Sequence, residues 1–274
     1  MSTSTAASHR AAPRPFGDHL RQWRQHRRLS QQGLAEEADI STRHLSFVET
    51  GKAVPSREMV LRLAERLAVP LRERNILLVA AGYAPMYRER PLADPALDAA
   101  RQAVELILRS HEPYPALALD RHWNIVAANR MLPHLLAGVD PSLLQAPVNV
   151  LRLSLHPLGL APRIVNLGQW RGHLLERLRQ QVAATGDATL AALHEELSAY
   201  PMPPGAGDTT LEGEHLGVVM PFEFRTELGV LRFISTTTVF GTPVDITLQE
   251  LALETFFPAD AFTGEALRQL AAAG

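Results

Sequence analysis

Thr42, Arg43, Ser46 and Phe47 share the outward side of one short helical segment, TRHLSFVE, while Leu45 and Val48 face inward. Two hydroxyls, a guanidinium and a ring on one exposed helix face can enter a DNA major groove and meet base edges. Catalytic chemistry is harder to assemble from this chain. Cysteine is absent, which excludes disulfides, thiolate nucleophiles and sulfur-ligated zinc or iron–sulfur sites. There is no GxSxG, GxGxxG or HExxH run, the Gly51-Lys52 pair lacks the Walker glycine and hydroxyl, and His194-Glu195 has no second histidine one turn on. The 11 histidines show no metal-ligand spacing. The chain reads as a non-enzyme without cofactor or metal; a site assembled from residues distant in sequence would leave no such trace.

The elements that position the outward residues are marked by their caps. Ser30 opens QQGLAEEA, Ser41 opens TRHLSFVE after the turn at Asp39-Ile40, and Ser56, following Pro55, opens REMVLRLAERLA. Phe16, Leu20 and Trp23 recur at helical spacing upstream, Gly51 stops the third helix, and a fifth covers Leu71 to Ala81. Leu34, Ala35 and Ala38 pack against Leu45 and Val48, which is the layout of a helix–turn–helix with the second helix as reader. Gly33 inside the preceding helix costs roughly 0.5–1 kcal/mol against alanine. Residues 1–15 are mostly Ser, Thr, Ala and Pro and read as a disordered tail; 16–82 form an all-α domain. Residues 83–110 read as a linker and connecting helix, with three prolines before the helix from Asp98 to Ser110.

Beyond residue 110 the texture changes. PALALD and WNIVAAN, joined by Arg121-His122, read as a hairpin; helices follow over 129–137, 142–154 and 168–184, and Gly186-Asp187 opens another that ends near Tyr200. After the surface loop PMPPGAGD, the runs GVVMPFEFRTE, GVLRFISTTTVFG and DITLQELALETFF read as three strands of an antiparallel meander. The fold class is two domains, an all-α bundle over 16–82 followed by an α+β domain over 111–274. The charge follows the same division. Residues 1–74 hold 13 Lys and Arg against 8 Asp and Glu, a balance of +5; the rest of the 27 and 29 is 14 against 21, or −7. A basic head on an acidic body points to an anionic partner for the head, nucleic acid first. No 18-residue run is apolar and free of charge, and the amino terminus lacks the apolar run of a signal peptide, so a cytoplasmic protein without a membrane partner is expected.

The segment Leu29-Ser30-Gln31 through Leu34-Ala35, Ile40-Ser41 and Glu49-Thr50-Gly51-Lys52 to Pro55-Ser56 resembles the Xre or lambda-repressor-like family over about residues 16–74. That resemblance implies that Gln31 anchors a phosphate, that Thr42, Arg43 and Phe47 approach base edges with Ser46 beside them, and that Lys52 and Arg57 lie near the DNA backbone. Ser41 joins this group as the reader's cap. Arg43 would reach guanine O6 and N7 with two hydrogen bonds, worth about 1–3 kcal/mol of discrimination. Phe47 departs from the family's usual polar residue, and covers a thymine methyl or packs inward or against another domain.

In the body, LRLSLHPLGLAPRIVN (151–166), with AAGYAP (80–85), HEPYPALALDRHWNIVAAN (111–129), Trp170-Arg171 and TTTVFGTPVDITLQELALETFFPAD (236–260), resembles MmyB-like transcription regulators. The resemblance implies a PAS-like ligand-binding domain with an apolar cavity, and a fatty acyl chain as the ligand type. Burying about 12 methylenes at roughly 0.8 kcal/mol each gives on the order of 10 kcal/mol before ordering costs. His156, Arg163 and Asn166 either meet a ligand carboxylate or fasten an irregular loop. Trp123, Leu135, Trp170, Phe222, Phe233, Phe240 and Phe256 are lining or plain core. Together these readings describe a homodimeric transcription regulator on double-stranded operator DNA, controlled by a small lipophilic ligand. An acyl-processing enzyme and a dimerisation or partner-docking module are the alternatives for the body.

Overall fold

The computed structural model describes residues 14–202, 220–240 and 245–273. Residues 1–13 of the expected tail, 203–208 of PMPPGAGD, 217–219 of the run before Met220 and Gly241 lie outside the described residues. The chain divides into two compact units, one running to Glu89 with Asp245 and Ile246, the other from Arg90 onward.

In the first unit α1 (Phe16–His26), α2 (Gln31–Glu37), α3 (Thr42–Glu49), α4 (Arg57–Arg66) and α5 (Leu71–Ala80) enclose Phe16, Leu20, Leu34, Leu45, Leu63 and Leu67. The three central helices each start at a serine whose Oγ accepts a backbone N–H: Ser30 from Gly33 at 2.9 Å, Ser41 from His44 at 3.1 Å and Ser56 from Met59 at 3.2 Å. Each cap satisfies an orphan donor and contributes about 1 kcal/mol. Asp39, in the left-handed region at φ 53°, turns the chain between α2 and α3. Residues 83–89, expected as linker, fold back onto this unit: Asn75 Oδ1 accepts from Met86 and Tyr87 N–H, and Tyr83 Oη donates to Pro55 O.

The second unit begins with α6 (Asp98–Ser110) and the hairpin β1 (Ala116–Leu119) and β2 (Ile125–Ala128), then α7 (Leu132–Leu136), α8 (Val150–Leu155), α9 (Leu167–Thr185) and α10 (Ala188–Ser198). It closes with β3 (Pro221–Thr226), β4 (Gly229–Val239), α11 (Ile246–Glu250), β5 (Ala252–Pro258) and α12 (Ala261–Ala273). The strands form one antiparallel sheet in the order β2-β1-β5-β4-β3. Alternation splits the side chains between two faces. Leu117, Leu119, Phe222, Phe224, Phe233 and Phe256 enter the main core, whereas Ala116, Ala118 and Leu253 pack with Val104 and Leu108 of α6. The expected connecting helix is therefore the cover of one sheet face.

Two elements differ from the sequence reading. DITLQELALETFF is not one strand: β5 pairs only from Ala252, opposite Leu119 and Val239 where the neighbouring strands end, and the residues before it close their hydrogen bonds in α11. The helix expected over 142–154 is split into a 3-10 turn at Pro141–Leu144 and α8, because Pro147 cannot continue a helix and biases its predecessor to extended backbone.

Candidate functional site

On α3, Thr42 and Arg43 are exposed and Ser46 and Phe47 half-buried, while Leu45, Val48 and Glu49 are buried. The Arg43 guanidinium carbon lies 5.4 Å and Lys52 Nζ 5.9 Å from the centroid of the Phe47 ring. A ring flanked by two cations keeps both positive charges beside the outward face of α3. Lys52 and Arg57 are exposed.

Glu49 ends α3 with a fully buried side chain. Its carboxylate accepts from Arg24 Nε at 2.6 Å and Nη2 at 3.0 Å, and from Gln31 Nε2 at 2.8 Å, with Arg21 Nε 3.7 Å away. Burial pushes its pKa up, but the Arg24 and Gln31 hydrogen bonds and the arginine charges prevail and hold it below the usual carboxylate range. One carboxylate thus ties α3 to α1 and to the start of α2. Gln31 Nε2 has a second N–H besides the one given to Glu49.

In the second unit an apolar cavity of about 60 Å³ lies between the sheet and its covering helices. Leu117, Leu119, Phe222 and Phe256 form the sheet side; Leu132, Leu135 and Leu136 of α7, Val150, Leu151 and Leu153 of α8, and Trp170 and Leu174 of α9 form the opposite side. Trp123 closes one part from the hairpin turn, in the left-handed region at φ 69°. That costly conformation for a bulky residue is held from several directions. Trp123 Nε1 donates to Gln181 Oε1 at 2.8 Å, its carbonyl accepts from Val150 N–H at 2.9 Å, Arg177 covers its ring at 4.5 Å, and both Arg121 and His122 reach Asp187, the N-cap of α10. Asn149 caps α8 and donates to His122 O at 2.8 Å, so the turn and α8 are joined.

Among the described residues, two polar side chains besides the tryptophans line this cavity. Ser154 Oγ accepts from Trp170 Nε1 at 2.8 Å, and Glu254 sits on the inward face of β5 between Leu117 and Thr237 on the adjoining strands. Burial holds the Glu254 carboxyl above the usual carboxylate range, more than Arg177 at 3.4 Å lowers it.

The MmyB-like transcription regulator ligand binding domain family matches residues 100–270, and a helix-turn-helix domain family matches 15–77. The chain belongs to the MmyB-like transcription regulators. No curated protein matches it. A solved structure described as "Structure of an RNA-binding Light-Oxygen-Voltage Receptor" aligns over 94% of this chain and 63% of its own, less than two thirds of that protein's length, at 13% identity and a TM-score of 0.27. A likeness that low carries neither fold nor function across.

Within the MmyB-like domain the structure gathers Trp123, Leu135, Trp170, Phe222 and Phe256 around the cavity. Phe233 lies in the same core, stacked on Phe222 at 5.9 Å, and is not part of the lining. Phe240 packs with Val104 and Leu108 in the other cluster, on the α6 side of the sheet. The polar trio is engaged elsewhere. His156 Nδ1 accepts from Leu158 N–H, Arg163 donates to Leu135 O and lies over Phe224, and Asn166 bridges Pro221 O and Glu223 N–H on β3. These contacts fasten the 156–166 loop to its neighbours. Nothing in the sequence around Glu49 or Glu254 marks either as a buried carboxylate with distant partners, beyond the place of Glu254 in the inward register of the apolar run LALETFF.

Proposed function

We propose that this chain is a transcription regulator which binds double-stranded operator DNA as a homodimer through α3, under control of a small lipophilic, fatty-acid-like ligand in the second unit. One observation carries the reading: a chain with a capped helix–turn–helix also contains an apolar cavity whose wall, among the described residues, has two polar side chains besides its tryptophans. On the DNA side Gln31, Ser41, Lys52 and Arg57 hold phosphates, and Thr42, Arg43 and Phe47, with Ser46, meet base edges. Phosphate contacts set register; Arg43 supplies discrimination.

The cavity volume of about 60 Å³ exceeds the 10–15 Å³ or so needed for one water but is small for a long acyl chain. Ligand entry therefore requires the cavity to widen. A ligand shifts an equilibrium only by its differential affinity for two states, and a cavity that must widen provides that difference. The sheet covered by helices is compatible with the PAS-like arrangement, and the site of action is the cytoplasm. Among the described residues no helix is long and apolar enough to cross a membrane. The test is operator affinity with and without a ten-carbon lipid, decanoic acid in one arm and 1-decanol in the other, across a salt series. A shift with at least one of them at every salt concentration is expected; identical affinities with both throughout would overturn ligand control.

A further inference from the structure

A second feature of the cavity bears on what the ligand's head must be. Glu254 is the one ionisable side chain among the described residues that line it. Its carboxyl is nearly sequestered from solvent, in a wall that is otherwise almost wholly hydrocarbon. Its partners at Oε2 are long, with Arg177 Nη1 and Thr237 Oγ1 both 3.4 Å away, and Ser235 on β4 is a further hydrogen-bond partner of the carboxyl. Arg177 is committed elsewhere, donating to Thr237 Oγ1 at 2.8 Å and stacked on Trp123, and it is not part of the cavity wall. The lining thus offers an acceptor with spare capacity, Glu254, and the Ser154 hydroxyl, whose proton can still be donated. Lone pairs held in an apolar wall favour a ligand group that donates a hydrogen bond and disfavour one that brings a second negative charge.

We propose that Glu254 selects the ligand's head group, so that the cavity takes an aliphatic chain ending in an uncharged hydrogen-bond donor, such as an alcohol or primary amide, in preference to a free carboxylate. This rests on reading the cavity as a lipophilic-ligand site. The donor's O–H or N–H bonds to the Glu254 carboxyl while its own oxygen accepts from Ser154. A carboxylate there would face Glu254 across a low-dielectric space, where like charges cannot both ionise cheaply. The chain supplies affinity; Glu254 supplies the choice.

The experiment is calorimetric titration of the full chain with 1-octanol and with octanoate at pH 8, repeated on Glu254→Gln. In the wild type 1-octanol is expected to bind at least about tenfold more tightly than octanoate, the equivalent of roughly 1.4 kcal/mol. Glu254→Gln is expected to reduce the preference below about threefold, chiefly because octanoate binding improves once the opposing charge is gone. The wild-type comparison does not depend on the variant folding, and circular dichroism checks the variant. Equal binding of the two probes by the wild type, or tighter binding of octanoate, overturns the head-group assignment while leaving the lipophilic site standing. An unchanged preference in a folded Glu254→Gln also overturns it. Binding of neither probe overturns the lipophilic reading itself and the proposal with it.

Discussion

Arg43 and Arg24 lie on neighbouring helices and face opposite energetic problems. Arg43 is exposed, so its worth is read only against DNA: Arg43→Ala should weaken the specific operator by about 1–3 kcal/mol and random DNA much less. Competition binding separates the two, since a uniform loss would make it a phosphate contact. Arg24 instead neutralises a carboxylate with no exposed side-chain surface. Removing it leaves Glu49 buried with Gln31 and a distant Arg21, and Arg24→Ala should cost about 3 kcal/mol of the first unit's stability in urea unfolding. The pH dependence has a definite sign. Glu49 is held below the ordinary value of about 4.3, so its contribution is present above that pH and is lost as pH falls through the folded-state value. Acid titration of the unfolding midpoint should show this loss in the wild type and a weaker one in Arg24→Ala.

At the scale of elements, two glycines in adjoining helices predict opposite outcomes. Gly17 lets α1 touch α3, because a Cβ built there would stand 2.3 Å from the Glu49 carbonyl oxygen. Gly17→Ala must push α1 away and should destabilise by roughly 1–3 kcal/mol. Gly33 has helical backbone and open surroundings, the nearest atom to its Cβ being Ser30 Oγ at 3.4 Å. Gly33→Ala should therefore stabilise by about 0.5–1 kcal/mol. Thermal melts of the two variants side by side check both signs, and both residues look alike in the sequence. In the second unit the comparable device is the joint between the Trp123 turn and α8, made by Asn149 and the Val150 N–H. It places one wall of the cavity under the control of the hairpin.

At the scale of the molecule, a ligand that binds the folded second unit and not the unfolded chain stabilises it by mass action, by about 2.7 kcal/mol at a hundred times its Kd. Calorimetric melting with rising 1-octanol should move the second unit's transition upward and leave the first unit's in place when DNA is absent. Movement of neither transition would argue against a ligand in this cavity. The charge asymmetry belongs to this scale too: a +5 head carries the salt dependence of DNA binding, while the −7 body keeps the sum at −2 and discourages non-specific attachment.

The sequence by itself determined the helix starts of the first unit, most of the element order, the two-domain division and the outward set on α3. Those follow from short-range causes: serine oxygens three residues from the N–H they accept, apolar residues at helical spacing, and alternation along strands. It also set the hairpin and the pairing of β3 with β4 across a tight turn, whereas β4 and β5, with α11 between them in sequence, are brought together by the tertiary fold. Only the tertiary structure decided which apolar residues face a cavity, because Phe233 and Phe256 are indistinguishable by pattern and differ by their place against Trp170, Phe222 and the covering helices. The same holds for the two buried acids. Glu49 meets Arg24 across 25 residues and Glu254 meets Arg177 across 77, and nothing local marks either pairing. Long-range packing removed water from both carboxyls and gave one of them strong partners and the other weak ones.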